Sequence, residues 1–202
     1  MINSFSVPIN IHRFSSLAST NQTLWELLEQ GAPAGTVVVS KKQTAGRGQW
    51  GRKWESSLGG LYLSFAIKPA WEATSSSDLT RATAWGIATT FRTYDIPLQL
   101  KHPNDLFLAG RKLGGILTET RIQGGVIIAG AIGVGINWDN PVPEVGINLQ
   151  SYWQQKSIKP QISDLAMLET IILEGISLGY GQLLTYGLDS FLPSYQDLLI
   201  KI

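Results

Sequence analysis

Along the chain, short alternating or β-branched apolar runs give way at intervals to stretches whose apolar residues recur every three or four positions. Ile9 to Phe14 reads as a short strand. After it Ser19 and Thr20 are good helix N-caps, Leu24, Leu27 and Leu28 share one face, and Gly31 is a stop, which predicts a helix of about three turns. Thr36 to Ser40 is β-branched and apolar, Leu61 to Ile67 resumes as strand, and the basic, glycine-rich stretch between them is a long loop. Asp78 can cap a second helix through about Phe91, ending before Pro97. Leu98 to Leu100, Leu106 to Leu108, Gly115 to Arg121 and Val126 to Ile136 follow as strands, with turn signals at Ala109-Gly110 and Gln123-Gly124-Gly125. Pro141 to Pro160 reads as loop, and Ser163 caps a long amphipathic helix to about Leu184.

Consecutive strands with short connections suggest antiparallel pairing. With two early helices and terminal helices, the pattern predicts an α+β domain in which an antiparallel sheet carries its helices on one face. Apolar segments recur to the end without a low-complexity linker or a repeat, so residues 1–202 read as one domain.

At 202 residues and 44% hydrophobic content, the chain can bury a sizeable core without staples. It has no cysteine, which excludes disulfides, thiolate metal sites and an acyl-thioester on the enzyme. Its two histidines, His12 and His102, are too far apart for a helical His-Glu-x-x-His zinc site. No apolar run resembles a signal peptide or membrane span, so the expectation is a cytoplasmic protein without membrane association. A net charge of +1 argues against a surface tuned as a whole to nucleic acid. Yet five of the sixteen basic residues (Lys41, Lys42, Arg47, Arg52, Lys53) lie in one short acid-free stretch beside Trp50 and Trp54.

Two motif matches fail on context. Gly46, Gly48 and Gly51 satisfy G-x-G-x-x-G, but no amphipathic helix follows and no acidic residue lies about 20 positions on. Gly175-Ile176-Ser177-Leu178-Gly179 resembles a nucleophile elbow, yet it falls inside a predicted helix with no histidine downstream. The basic loop has three readings on its residues alone: a solvated cluster, a nucleic-acid patch, or an anion-binding loop for a phosphorylated or adenylated ligand. Lys101 to Asp105 reads as a polar turn or as a cation, an amide and a carboxylate brought together. Gly110 to Gly115 reads as a basic β-turn or as further cations for an anion. Gly133 to Asn137 ends an apolar strand with two close-approach glycines and an amide.

Taken in order, Ser19-Thr20-Asn21, Gly46-Arg47-Gly48-Gln49-Trp50-Gly51-Arg52-Lys53-Trp54, Lys101-His102-Pro103-Asn104-Asp105, Gly110 to Glu119 (Gly-Arg-Lys-Leu-Gly-Gly-Ile-Leu-Thr-Glu) and Gly133-Val134-Gly135-Ile136-Asn137 resemble the motif series of biotin protein ligases. The resemblance spans nearly the whole chain. It implies a fold like the catalytic domains of class II aminoacyl-tRNA synthetases, a mixed, largely antiparallel sheet with flanking helices, and an ATP-dependent reaction through biotinyl-5'-adenylate to a lysine of the biotin carboxyl carrier protein of acetyl-CoA carboxylase. By the same resemblance Arg47, Lys112 and Asp105 are catalytic. Ser19, Thr20, Asn21, Gln43, Gly46, Arg47, Gly48, Gln49, Lys112 and Gly115 form the biotin site, and Arg47, Arg52, Trp54, Lys101, Asn104, Lys112 and Asn137 the ATP site. Asp105 also serves Mg²⁺. Such a reaction needs no enzyme nucleophile, in keeping with the lack of cysteine and of a triad.

The series is departed from at three points. Gln49 stands where the family usually has a second arginine of Gly-Arg-Gly-Arg, and His102 where it usually has tryptophan. The chain is also read as having neither an N-terminal helix-turn-helix domain, so no DNA partner is expected, nor a small C-terminal β-barrel. A monomer or a homodimer fits equally. Related chemistries are a lipoate-type ligase of the same superfamily and a non-catalytic biotin-binding regulatory protein.

Overall fold

A computed structural model describes residues 8–72 and 76–200. The elements are β1 (Asn10–Phe14), α1 (Thr20–Glu29), β2 (Thr36–Ser40), β3 (Leu61–Ile67), β4 (Trp71–Glu72), α2 (Ser76–Arg92), β5 (Gln99–Lys101), β6 (Asp105–Leu108), β7 (Arg111–Gln123), β8 (Val126–Ile136), α3 (Leu149–Lys156), α4 (Leu165–Tyr186) and α5 (Leu192–Leu198). The strands form one sheet in the order β1-β2-β3-β8-β7-β6-β5, with the short β4 also on β8. Only β1 and β2 are parallel; the other pairings are antiparallel. The expected mixed, largely antiparallel sheet is therefore present. β7 and β8 make its longest ladder, closed by Gly124 and Gly125, both at positive φ as a tight hairpin turn requires.

Alternation along the central strands sorts residues between two faces. Leu61, Leu63, Phe65 and Ile67 of β3 join Ile132, Val134 and Ile136 of β8 in the main core, against α2 and α4. The opposite face carries Ala66 and Ala131, which pack with Val38 against Leu24 and Leu28 of α1. Helices thus lie on both faces, which corrects the one-face expectation: α1 is short and covers only the β2–β3–β8 part of its side, leaving β7 and the ends of β8 open. α2 and α4 approach so closely that a Cβ on Gly86 would fall 2.1 Å from the Gly175 carbonyl oxygen and one on Gly179 2.0 Å from that of Ala82. Gly175-Ile176-Ser177-Leu178-Gly179 is thereby a helix-packing seam in α4 and not a nucleophile turn.

Two further expectations are corrected. The 141–160 stretch contains α3, because Asn148 accepts a hydrogen bond from the Ser151 N–H (2.7 Å) as N-cap and Leu149, Tyr152 and Trp153 bury one face. Its Pro flanks masked an eight-residue helix. The cap of α4 is Asp164, whose carboxylate accepts from the Met167 N–H at 2.8 Å, and Ser163 instead donates its hydroxyl to Asp164. α2 starts at Ser76, so Asp78 sits in its first turn. Among the described residues no helix is long and apolar enough to cross a membrane.

Candidate functional site: a cation-lined cleft on the open sheet face

A cleft of about 350 Å³ opens on the sheet face that α1 leaves uncovered. Its floor is β7 and β8, where Gly115, Gly133 and Gly135 fall on the same face by alternation. A Cβ on Gly133 would lie 2.4 Å from Asn21 Oδ1, and one on Gly135 2.5 Å from Trp54 Nε1. The glycines are therefore what allow α1 and the basic loop to lie directly on the sheet.

One end of the cleft is a buried polar cluster. Ser19, Thr20 and Asn21, at the start of α1, are each no more than 5% exposed. Ser64, from the otherwise apolar β3, donates toward Asn21 Oδ1 (2.5 Å) and Thr20 Oγ1 (2.8 Å). Gln43 Oε1 accepts from the Thr20 N–H at 2.7 Å and hydroxyl at 3.2 Å, and Gln43 Nε2 donates to Ser56 Oγ at 2.7 Å. Gln43 thus lines the cleft while its amide is committed to tying the loop to α1. Asn21 Nδ2 donates to the Leu117 carbonyl and to Glu119 Oε2, at 3.3 and 2.8 Å.

The basic loop folds over this cluster as a tight ribbon. Gln43 bridges Ser56, Arg47 bridges Lys53, and Gln49–Gly51 form a single 3₁₀ turn at the tip. Trp50 there is 88% exposed at φ 61, an uncommon conformation for a non-glycine residue. The Gly48 N–H is taken by the Arg52 carbonyl (2.7 Å), so in this state it is not free for a ligand. Gly46 is buried behind the lining, where a Cβ would lie 2.5 Å from the Trp54 carbonyl oxygen.

The other end is charged. Arg47, Arg52, Lys53, Lys101 and Lys112 line the cleft against a single carboxylate, Asp105. Lys112 Nζ lies 2.6 Å from Asp105 Oδ1 and 5.3 Å from the centre of the Trp54 ring. Its backbone is pinned by the 145–147 segment, with N–H to Val145 and carbonyl from Ile147. Asn104 lines the cleft, but its amide holds the Ile116 carbonyl at 2.9 Å. His102 is braced from behind by the Tyr195 hydroxyl, 3.3 Å from Nδ1.

Asn137 lies outside this cleft. It borders a second cavity of about 180 Å³ that shares Lys53, Trp54 and Lys112 with the first. Its side chain donates to the Ile147 carbonyl (3.3 Å) and accepts from Asn140 (2.9 Å). The Trp54 indole N–H, at the boundary of the two spaces, is buried without a hydrogen-bond partner. Such a donor costs free energy unless something supplies an acceptor. Sequence reasoning missed Ser64 as part of the site; a lone polar residue in the apolar run Leu61 to Ile67 was the available signal.

A polar pocket runs into a cation-lined cleft on the open face of a mixed sheet with flanking helices, and this architecture matches the biotin protein ligase catalytic-domain fold of the class II aminoacyl-tRNA synthetase-like superfamily. The chain belongs to the biotin/lipoate A/B protein ligase family, whose family model matches residues 14–137. It is 37% identical over 123 residues to the bifunctional ligase/repressor BirA of Bacillus subtilis, covering 60% of this chain and 38% of that protein. It is 32% identical over 126 residues to the biotin–[acetyl-CoA-carboxylase] ligase of Paracoccus denitrificans, covering 60% and 52%. The biotin protein ligase of Aquifex aeolicus, solved in complex with biotin and ATP, superposes with a TM-score of 0.76 at 25% identity over 95% of this chain and 78% of that one. The matched segment is thus well under two thirds of the length of either curated relative.

Proposed function

We propose that this chain activates biotin with ATP as biotinyl-5'-adenylate and transfers the acyl group to a specific lysine of a biotin carboxyl carrier protein, that of acetyl-CoA carboxylase. The observation that carries this reading is that one cleft joins the Ser19-Thr20-Asn21-Ser64 cluster to Arg47 and Lys112, cations from separate elements. A ureido ring and an aliphatic acid fit the polar end, and the carboxylate then faces the cations. A carboxylate oxygen attacks the α-phosphorus and pyrophosphate leaves. Arg47 and Lys112 stabilise the charge spread over carboxylate and phosphate, and no protein nucleophile takes part. In the second half the acceptor amine attacks the acyl carbon, AMP leaves, and the amine gives up its proton.

The second cavity, with Asn137 and the unpaired Trp54 N–H, suits the nucleoside, and Arg52, Lys101 and Asn104 border the path of the phosphates. Asp105 is the cleft's one carboxylate, and among the described residues no group of three His, Asp or Glu forms a resident metal site. That donor set fits Mg²⁺ arriving with ATP, since Mg²⁺ takes one or two carboxylates and completes its shell with phosphates and water. Bound there, it would screen the phosphate charge. The test is ATP-dependent transfer of labelled biotin to a carrier domain with lipoate as competing acid. Labelling that depends on ATP and resists lipoate is expected; preferential transfer of lipoate would replace this reading.

A further inference from the structure

The structure assigns Glu119 a positioning role for Arg47, an inference that rests on the proposed function where it concerns the reaction. Glu119 closes the motif Gly-Gly-Ile-Leu-Thr-Glu, but it does not itself line the cleft. It stands on β7 at the cleft's edge. One oxygen, Oε2, accepts from three side chains at once, two on α1 and one on the basic loop: Asn21 Nδ2 at 2.8 Å, Trp25 Nε1 at 3.3 Å and Arg47 Nη2 at 3.0 Å. Trp25 is in turn covered by Arg121, whose guanidinium carbon lies 5.1 Å from the ring centre and whose Nη2 holds Glu29 at 2.8 Å.

The carboxylate is therefore fixed by α1 and the sheet, and it reaches across to the loop. Of the described contacts of the Arg47 side chain, this is the one that ties it to the body of the protein. It engages one terminal nitrogen of five donors, which leaves the rest of the guanidinium to meet an anion bidentately. Glu119 so sets where the arginine waits without occupying it. The opposite sign is also physical: a fixed carboxylate repels an incoming anion and competes for Arg47. Geometry favours positioning, because the cleft is already rich in cations and what a glycine-rich loop lacks is a defined arginine.

The test uses the whole chain with Glu119→Gln, which keeps an acceptor for Asn21 and Trp25 but removes the charge, and Glu119→Asp, which keeps the charge. Without ligand at low salt, trypsin cleavage at Arg47, Arg52 and Lys53 should rise about two- to fivefold in Glu119→Gln, the size of one partly exposed ion pair. In the natural protein and in Glu119→Asp, cleavage should rise with salt as the pair is screened; in Glu119→Gln it should not. Pyrophosphate release from biotin and ATP should fall about tenfold in kcat with little change in the KM for biotin, and recover in part in Glu119→Asp, as for outer groups that orient a binding residue. An unchanged cleavage rate in Glu119→Gln, or an unchanged or faster adenylate step, overturns the inference. If the natural protein releases no pyrophosphate, the functional reading fails, while the cleavage and salt comparison still decides whether Glu119 holds Arg47.

Discussion

Lys112 and Arg47 reach the cleft from separate elements, β7 and the basic loop, each with a carboxylate at hand: Asp105 at 2.6 Å and Glu119 at 3.0 Å. Both lie on the surface of a solvent-open groove, so their removal touches charge before it touches packing. Lys112→Ala and Arg47→Ala are each expected to slow adenylate formation by about 10²-fold or more with little change in thermal midpoint. Pyrophosphate release measured beside a thermal melt checks this, and an unaltered rate in either variant removes that residue from the reaction. Gln49 is the complementary case, where an arginine would add a charge-assisted contact to the adenylate phosphate. Gln49→Arg should retain the intermediate up to about tenfold longer, since the gain over a neutral amide is about one decade. Labelling of an inert lysine-rich protein, which reports escaped adenylate, should fall in parallel; equal release from both proteins would show that Gln49 is neutral.

At the level of elements, the α2–α4 seam offers a paired test within one helix. Gly179→Ala would push a methyl group against the Ala82 backbone carbonyl, and neither helix can yield without moving the core. The cost of overpacking, about 1–3 kcal/mol, outweighs the helix-propensity gain of up to about 1 kcal/mol. Gly181 in the same helix has nothing near its missing side chain, so Gly181→Ala should stabilise by about 0.5–1 kcal/mol. Denaturant unfolding of both variants checks the opposite signs. What the sequence disclosed and what it hid also divides by element. Strands β2, β3 and β8 and helix α4 carry unbroken periodicity and were legible. α3 was not, because prolines on both sides and a polar face of Gln150, Gln154 and Gln155 look like loop until Asn148 is seen capping it. Most of the motif blocks meet at the cleft because glycine spacing on β7 and β8 encodes close approach, while Asn137 falls beside the second cavity and Gly46 behind the lining. Ser64 and Glu119 act through partners more than 40 residues away, so even the lone polar position in β3 marks a place without naming what it touches.

For the molecule as a whole, alkaline pH tests how firmly the core is closed. Tyr62 is fully buried, donates to the Ser57 carbonyl at 2.8 Å, and burial pushes its phenol up to about 12. Burial shifts Tyr180 and Tyr195 in the same direction. A phenol held protonated in the fold but titrating near 10 when unfolded gives its full stabilisation below about pH 10 and loses it as pH rises toward 12. The thermal midpoint should therefore fall steeply across that window, and Tyr62→Phe should flatten part of the slope. A midpoint indifferent to pH between 10 and 12 would mean these phenols reach solvent. The sheet's connectivity has a consequence in time as well. Its central pairing joins Leu61 to Ile136 and Ile67 to Gly130, and the β8 strand placed by it is one of the two that make the cleft floor. Closing so long a loop comes before any contact repays it, and non-local pairing of this kind folds slowly. During synthesis every motif up to Lys112 leaves the ribosome without a floor to stand on. The cleft is thus born only when β8 emerges and slots between β3 and β7.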